Sequence, residues 1–66
     1  MEVVINGEPQ TLNESATIAG LLDRLQLAGR RIAVEVNEEI VPRSEHDSFQ
    51  LSPGDRIEIV HAIGGG

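Results

Sequence analysis

The sequence predicts a small α+β domain in two layers, with one main helix on one face of a mixed sheet of four to five short strands. Three observations carry that expectation. Only the stretch 18–25 repeats its apolar residues with the helical period, β-branched runs of strand length lie at 2–6, 32–37 and 56–61, and Asn-Gly and Pro-Gly pairs punctuate the extended segments. The chain has 66 residues, enough for one core and no more.

Taken in order, Glu2-Val3-Val4-Ile5-Asn6 reads as a strand. Asn6-Gly7 is a hairpin signal, because both central residues of a type I′ turn need positive φ. The chain then returns through Glu8 to Leu12. Pro9 has no N–H to donate, which places that second strand at a sheet edge. Ile18, Leu21, Leu22 and Leu25 follow at helical spacing, with Thr17 as the cap and Ser15 as its rival. Gly20 costs a helix about 1 kcal/mol relative to alanine, which implies close packing against the sheet. Gly29 is placed to stop the helix in a left-handed conformation.

Ile32 to Asn37 is the next strand, with Val34 and Val36 on one face and Ala33 and Glu35 on the other. A turn at Asn37-Glu38-Glu39 leads into Ile40-Val41, which Pro42 cuts short. Residues 43–48 are polar and without period, so a loop or a single 3₁₀ turn is expected, pinned by Phe49 and Leu51. Pro53-Gly54-Asp55 is a turn, and Arg56 to His61 is the last strand, with Ile57 and Ile59 inward. The order hairpin, helix, strands is that of the β-grasp, or ubiquitin-like, roll, in which the first and last strands lie parallel at the centre. The domain is expected over residues 1–61, followed by a flexible glycine tail over 62–66.

Composition narrows the function. The core must be aliphatic, since tryptophan and tyrosine are absent and Phe49 is the single phenylalanine. Eleven acidic residues against five basic ones give a formal net charge of −6. Such a surface repels phosphate backbones and anionic lipid, so neither nucleic acid nor a membrane surface is an expected partner. A protein with a basic docking face is the natural complement. Every basic residue is arginine, so lysine-linked chains on this protein are impossible. No cysteine is present, hence no disulfide, thiolate nucleophile or zinc-thiolate site. That fits a reducing, cytoplasmic location. The opening MEVVINGEPQ lacks a basic region and a long apolar stretch, so no signal peptide or membrane span is expected.

Gly64-Gly65-Gly66 is the most informative feature. Three glycines bury no side chain, are costly to order, and fit a channel too narrow for any side chain. The reactive group there is the α-carboxylate of Gly66. A carboxylate is inert towards thiolates and sulfide until it becomes a mixed anhydride. Attack on the α-phosphate of ATP makes that anhydride, an acyl-adenylate, and a second enzyme must supply the ATP site. On composition alone, terminal glycines read as a frayed end; their place directly after the last strand of a ubiquitin-like pattern favours the chemical reading.

Six segments together resemble the ThiS family, the ubiquitin-like sulfur carriers of thiamine biosynthesis. They are the first strand with Asn6-Gly7, the helix start Thr17-Ile18-Ala19-Gly20-Leu21-Leu22, Ala33-Val34-Glu35-Val36-Asn37, Ile40-Val41-Pro42-Arg43-Ser44, Gly54-Asp55-Arg56-Ile57-Glu58-Ile59-Val60, and the closing Ala62-Ile63-Gly64-Gly65-Gly66. The resemblance covers essentially the whole chain. It implies that a ThiF-type adenylating enzyme activates the Gly66 carboxylate with ATP and magnesium. A persulfide sulfur donor then replaces AMP and leaves a thiocarboxylate, and a thiazole synthase of the ThiG type takes the sulfur. The chain would be a co-substrate and not an enzyme, with no cofactor of its own, and a monomer when free. Related alternatives are the molybdopterin-synthase small subunit or another thiocarboxylate carrier, a protein modifier, and an interaction module with an idle tail. The molybdopterin-synthase subunit is usually longer and carries aromatic and proline residues ahead of its glycines, whereas Ala62-Ile63 stand here.

Other motifs carry less. Ser44, His46 and Asp47 share one loop, and loop neighbours do not reach the geometry of a Ser-His-Asp relay, so a solvated loop is expected. His61 ends the last strand beside the tail and either steers the adenylate or faces water. Two histidines without a spaced carboxylate cluster make no metal site. Glu38-Glu39 reads as a turn with solvated charges. Period-two counting puts Val4, Ala33 and Val60 on the sheet face away from the helix; if their strands are neighbours, they form either an apolar docking patch beside the tail, ringed by Glu35 and Glu58, or scattered surface residues that need no explanation.

Overall fold

The structure is a computed structural model that describes residues 1–61. Five strands and one α-helix appear among them: β1 (Glu2–Ile5), β2 (Glu8–Thr11), α1 (Ile18–Arg24), β3 (Ile32–Val36), β4 (Glu39–Val41) and β5 (Arg56–His61), with a 3₁₀ turn at Arg43–Glu45. The sheet order is β2-β1-β5-β3-β4, and β1 runs parallel to β5 at its centre while the other neighbours are antiparallel. This is the β-grasp roll expected from the element order.

The two hairpins are built alike. Asn6 and Gly7 take φ of 50° and 85°, and Asn37 and Glu38 take 52° and 71°, so both turns meet the positive-φ requirement of type I′. Glu39 therefore begins β4 rather than closing the turn, paired with Val36. Pro9 pairs with Val4, whose own N–H turns away to bond the Asp55 carbonyl at 2.9 Å. The N–H that Pro9 lacks would point off the sheet edge, where no ladder bond is lost. Gly54, at φ 84°, follows Pro53 in a turn closed by the Asp55 N–H donating to the Ser52 carbonyl at 3.1 Å.

Thr17 caps α1, its hydroxyl accepting from the Gly20 N–H at 3.1 Å. Ile18, Leu21 and Leu22 are buried against Val3, Ile5, Val34, Val36, Ile57 and Ile59 of the sheet, so one face of α1 and one face of every central strand share a single aliphatic core.

Two helix expectations are corrected. Gly20 does not pack against the sheet: it is exposed, on the side of α1 opposite Ile18, and a Cβ there would meet only the Thr17 hydroxyl at 3.4 Å. Nor does Gly29 end the helix. Gln26 takes the left-handed conformation, at φ 63°, while the Leu27 N–H reaches the Leu22 carbonyl at 2.8 Å and the Gln26 N–H reaches Asp23 at 3.0 Å. That pair of bonds is a Schellman motif with glutamine in the usual glycine position. Leu27 drives it by packing against the core. The helix stops at Arg24, so Leu25 becomes its cap residue and is exposed. Gly29, at φ 80°, serves the next turn, closed by the Arg30 N–H on the Leu27 carbonyl.

Candidate functional site

β5 delivers the C-terminal segment, so its register decides what surrounds the exit. Pairing runs Val36–Ile57, Glu35–Glu58, Val34–Ile59, Ala33–Val60 and Ile32–His61. On the other edge β1 reaches only Ile5, opposite Ile57. One further rung comes from the turn: the Asn6 N–H donates to the Ile57 carbonyl at 2.9 Å, and Asn6 Oδ1 accepts from the Ile59 N–H at 2.8 Å. The last strand is held on both edges up to Ile59, and beyond it the recorded pairing is with β3. Gly64, Gly65 and Gly66 lie outside the described residues, as does the flexible tail expected over 62–66.

Ala33 and Val60 are direct partners on the open face of the sheet, with Val60 51% exposed. Val4 does not join them. It sits beside Arg56, four residues back along β5 from Val60, a separation of about 13 Å at about 3.3 Å per residue. Period-two counting assigns the face correctly but says nothing of the offset between parallel strands. Val4 instead lines a shallow depression of ≈ 410 Å³ with Gly7, Glu35, Glu38, Arg56, Ile57 and Glu58.

Between the two ends lies the row Glu58–Glu35–Ile40. The two carboxylates are directly opposed, an arrangement that disfavours the free sheet. Ile40 beside them is 71% exposed, the most exposed of the large apolar side chains among the described residues. The sequence reading missed Ile40, although the inward Val41 next to it was signal enough. The face thus presents Val60, Ala33 and Ile40 around an acidic pair.

The Ser44, His46, Asp47 trio is not assembled. Ser44 and Asp47 are exposed, and no hydrogen bond recorded among the described residues links the three. The solvated loop expected there is corrected at His46, which is only 8% exposed. Its Nε2 lies 3.0 Å from the Val41 carbonyl, which can only accept, so Nε2 carries the hydrogen. Its own carbonyl accepts from the Ala19 N–H at 2.9 Å. His46 therefore ties the 3₁₀ turn to β4 and to α1. His61 is exposed, paired with Ile32. Glu38 and Glu39 are both exposed. Among the described residues no three His, Cys, Asp or Glu side chains cluster to hold a metal, and no helix is long and apolar enough to cross a membrane.

With this geometry in hand, the comparisons with known proteins are specific. The sequence model of the ThiS family matches residues 3–66. A thiazole synthase of Paramagnetospirillum magneticum is 46% identical over 66 residues, which is 100% of this chain and 20% of that protein. The sulfur carrier protein ThiS of Bacillus subtilis is 40% identical over 53 residues, 80% of each chain. The crystal structure of the thiamine biosynthesis protein ThiS from Geobacter metallireducens matches with a TM-score of 0.87 at 33% identity, covering 100% of both chains. The chain spans about a fifth of the length of the thiazole synthases it matches. A family match from the first strand to the last glycine, on a fold shared end to end with a ThiS structure, settles the classification: the chain belongs to the ThiS family.

Proposed function

We propose that the chain is a sulfur carrier of thiazole formation in thiamine biosynthesis, and that Gly66 bears the sulfur. The observation that carries this reading is the family match that runs through Gly64-Gly65-Gly66. The Gly66 carboxylate attacks the α-phosphate of ATP, bound with magnesium on a ThiF-type enzyme, and pyrophosphate leaves. A persulfide sulfur attacks the acyl carbon and AMP leaves. Cleavage of the resulting S–S bond by a thiol frees the thiocarboxylate. The acceptor is a thiazole synthase, a partner supported by the full-length similarity of this chain to a fifth of proteins that bear that name. In this scheme the chain is a co-substrate and not a catalyst. No cysteine is available to hold sulfur on a side chain, which leaves the terminus as its carrier.

The open sheet face is the proposed docking surface, centred on Val60 and Ala33. Opposed Glu35 and Glu58 favour a cation on the partner, since one guanidinium between them would relieve their repulsion. Val4 belongs to this surface only if the partner also covers the depression around Arg56. The test of the carrier reading is ATP–pyrophosphate exchange by the cognate adenylating enzyme. Exchange should require this chain and disappear when Gly65 and Gly66 are removed; exchange that persists without them contradicts it.

A further inference from the structure

The helix-side groove at the tail end of the sheet takes no part in the scheme above. Leu22, Leu27 and Ile32 line it, with Arg30, Arg43, His46 and Asp47 around them, and its volume is ≈ 240 Å³. Small-molecule sites usually hold about 300–1,000 Å³, so this groove suits one or two side chains better than a nucleotide.

Its charge is out of keeping with the rest of the chain. The net charge is −6, yet two of the five arginines, Arg30 and Arg43, line this groove. Asp47 is the one carboxylate in the lining. Among the described residues the one ion pair joins the Met1 amine to Glu14 at 3.3 Å, and no arginine has a carboxylate partner. Arg43 Nη2 donates instead to the Arg30 carbonyl at 2.8 Å, which holds the 3₁₀ turn against the α1–β3 loop and fixes a cation at the rim with its charge intact. The groove also adjoins the exit, because Ile32 pairs with His61 at the end of β5.

We propose that this groove docks an acidic segment with one apolar side chain, carried by the protein that receives residues 62–66. Leu22, Leu27 and Ile32 take the apolar side chain, and Arg30 and Arg43 meet the carboxylates. The identity of that protein as the adenylating enzyme rests on the carrier reading; the chemistry of the groove does not. Docking on the helix side complements the open sheet face, so a partner would grip both layers around the tail.

The test titrates the isotope-labelled full chain with the cognate adenylating enzyme in the absence of ATP, and compares affinities of wild type, Arg30→Glu and Arg24→Glu. Arg24 lies on the other flank of α1, its guanidinium near the Thr11 carbonyl, and its reversal changes net charge by the same amount. Amide signals of Leu27, Arg30 and Ile32 should shift or broaden, and wild-type affinity should fall as salt is added. Arg30→Glu should weaken binding roughly tenfold or more and Arg24→Glu less than about threefold. A complex that leaves those signals unmoved, equal losses from the two reversals, or no complex at all would overturn the proposal. Adenylation of the same sample, read by mass, separates the two claims. Adenylation with an untouched groove defeats the groove alone, whereas salt-sensitive groove binding without adenylation sustains it and defeats the carrier reading.

Discussion

The side-chain oxygen of Asn6 accepts the backbone N–H of Ile59 at 2.8 Å across 53 residues of sequence. One residue thus does two jobs. It supplies the left-handed conformation of the first hairpin and extends the parallel ladder by a rung where β1 has ended. Asn6→Gly keeps the turn and the backbone bond to Ile57 but loses the acceptor of the Ile59 N–H, which should cost about 1–3 kcal/mol because a part-buried N–H is left unpaired. Asn6→Ala also strains the turn and should cost about 1 kcal/mol more. Denaturant unfolding of the two variants checks the order; equal stability of Asn6→Ala and wild type would show that the side-chain bond contributes nothing.

Two positions hold a side chain where glycine is preferred. Gln26 closes the helix in a left-handed conformation and Glu38 occupies the second position of the β3–β4 turn at φ 71°. Gln26→Gly and Glu38→Gly should each stabilise the fold by about 0.5–1 kcal/mol. Gly29→Ala, at φ 80°, should move stability the other way by a similar amount. Thermal melts of the three variants, with opposite signs expected for the third, are the check.

Much of this was legible because it was local. Asn6-Gly7, Thr17 and Pro53-Gly54 carry their conformations in their own chemistry, and the observed turns and cap follow them. The failures share a different cause. Gln26 ends the helix because Leu27 finds the core, and His46 is buried because Val41 and Ala19 offer it partners, both outcomes of packing that local pattern does not encode. A two-residue period fixes the face that Val4 and Val60 share and leaves open the offset of parallel neighbours that separates them.

His46 should prove structural. His46→Ala removes a buried hydrogen bond to Val41 and the packing of the ring, and should destabilise by about 2 kcal/mol or more. At a saturating concentration of the chain, the adenylation rate per folded molecule should hardly change, because His46 bounds the groove and any loss there falls on KM. A selective loss of rate in a variant that remains folded would show a chemical role for the imidazole.

On the open face, Val60→Asp adds a third acid next to the Glu35–Glu58 pair at a site that is already half exposed. Stability should stay within about 0.5 kcal/mol. The kcat/KM for adenylation should fall several-fold through KM, since binding and not chemistry is touched. Glu58→Gln should stabilise the free chain by up to about 1 kcal/mol, by relieving the opposed charges, and weaken the complex. Unchanged kinetics in both variants would remove this face from the docking account.

The most direct measurement is the intact mass of the chain after incubation with ATP, magnesium, the adenylating enzyme, a persulfide donor and a thiol. The expected result is a gain equal to sulfur replacing one oxygen, mapped to Gly66 and absent when Gly65 and Gly66 are deleted. An unmodified chain beside an enzyme shown to be active on a known carrier would contradict the assignment of Gly66 as the sulfur-bearing residue.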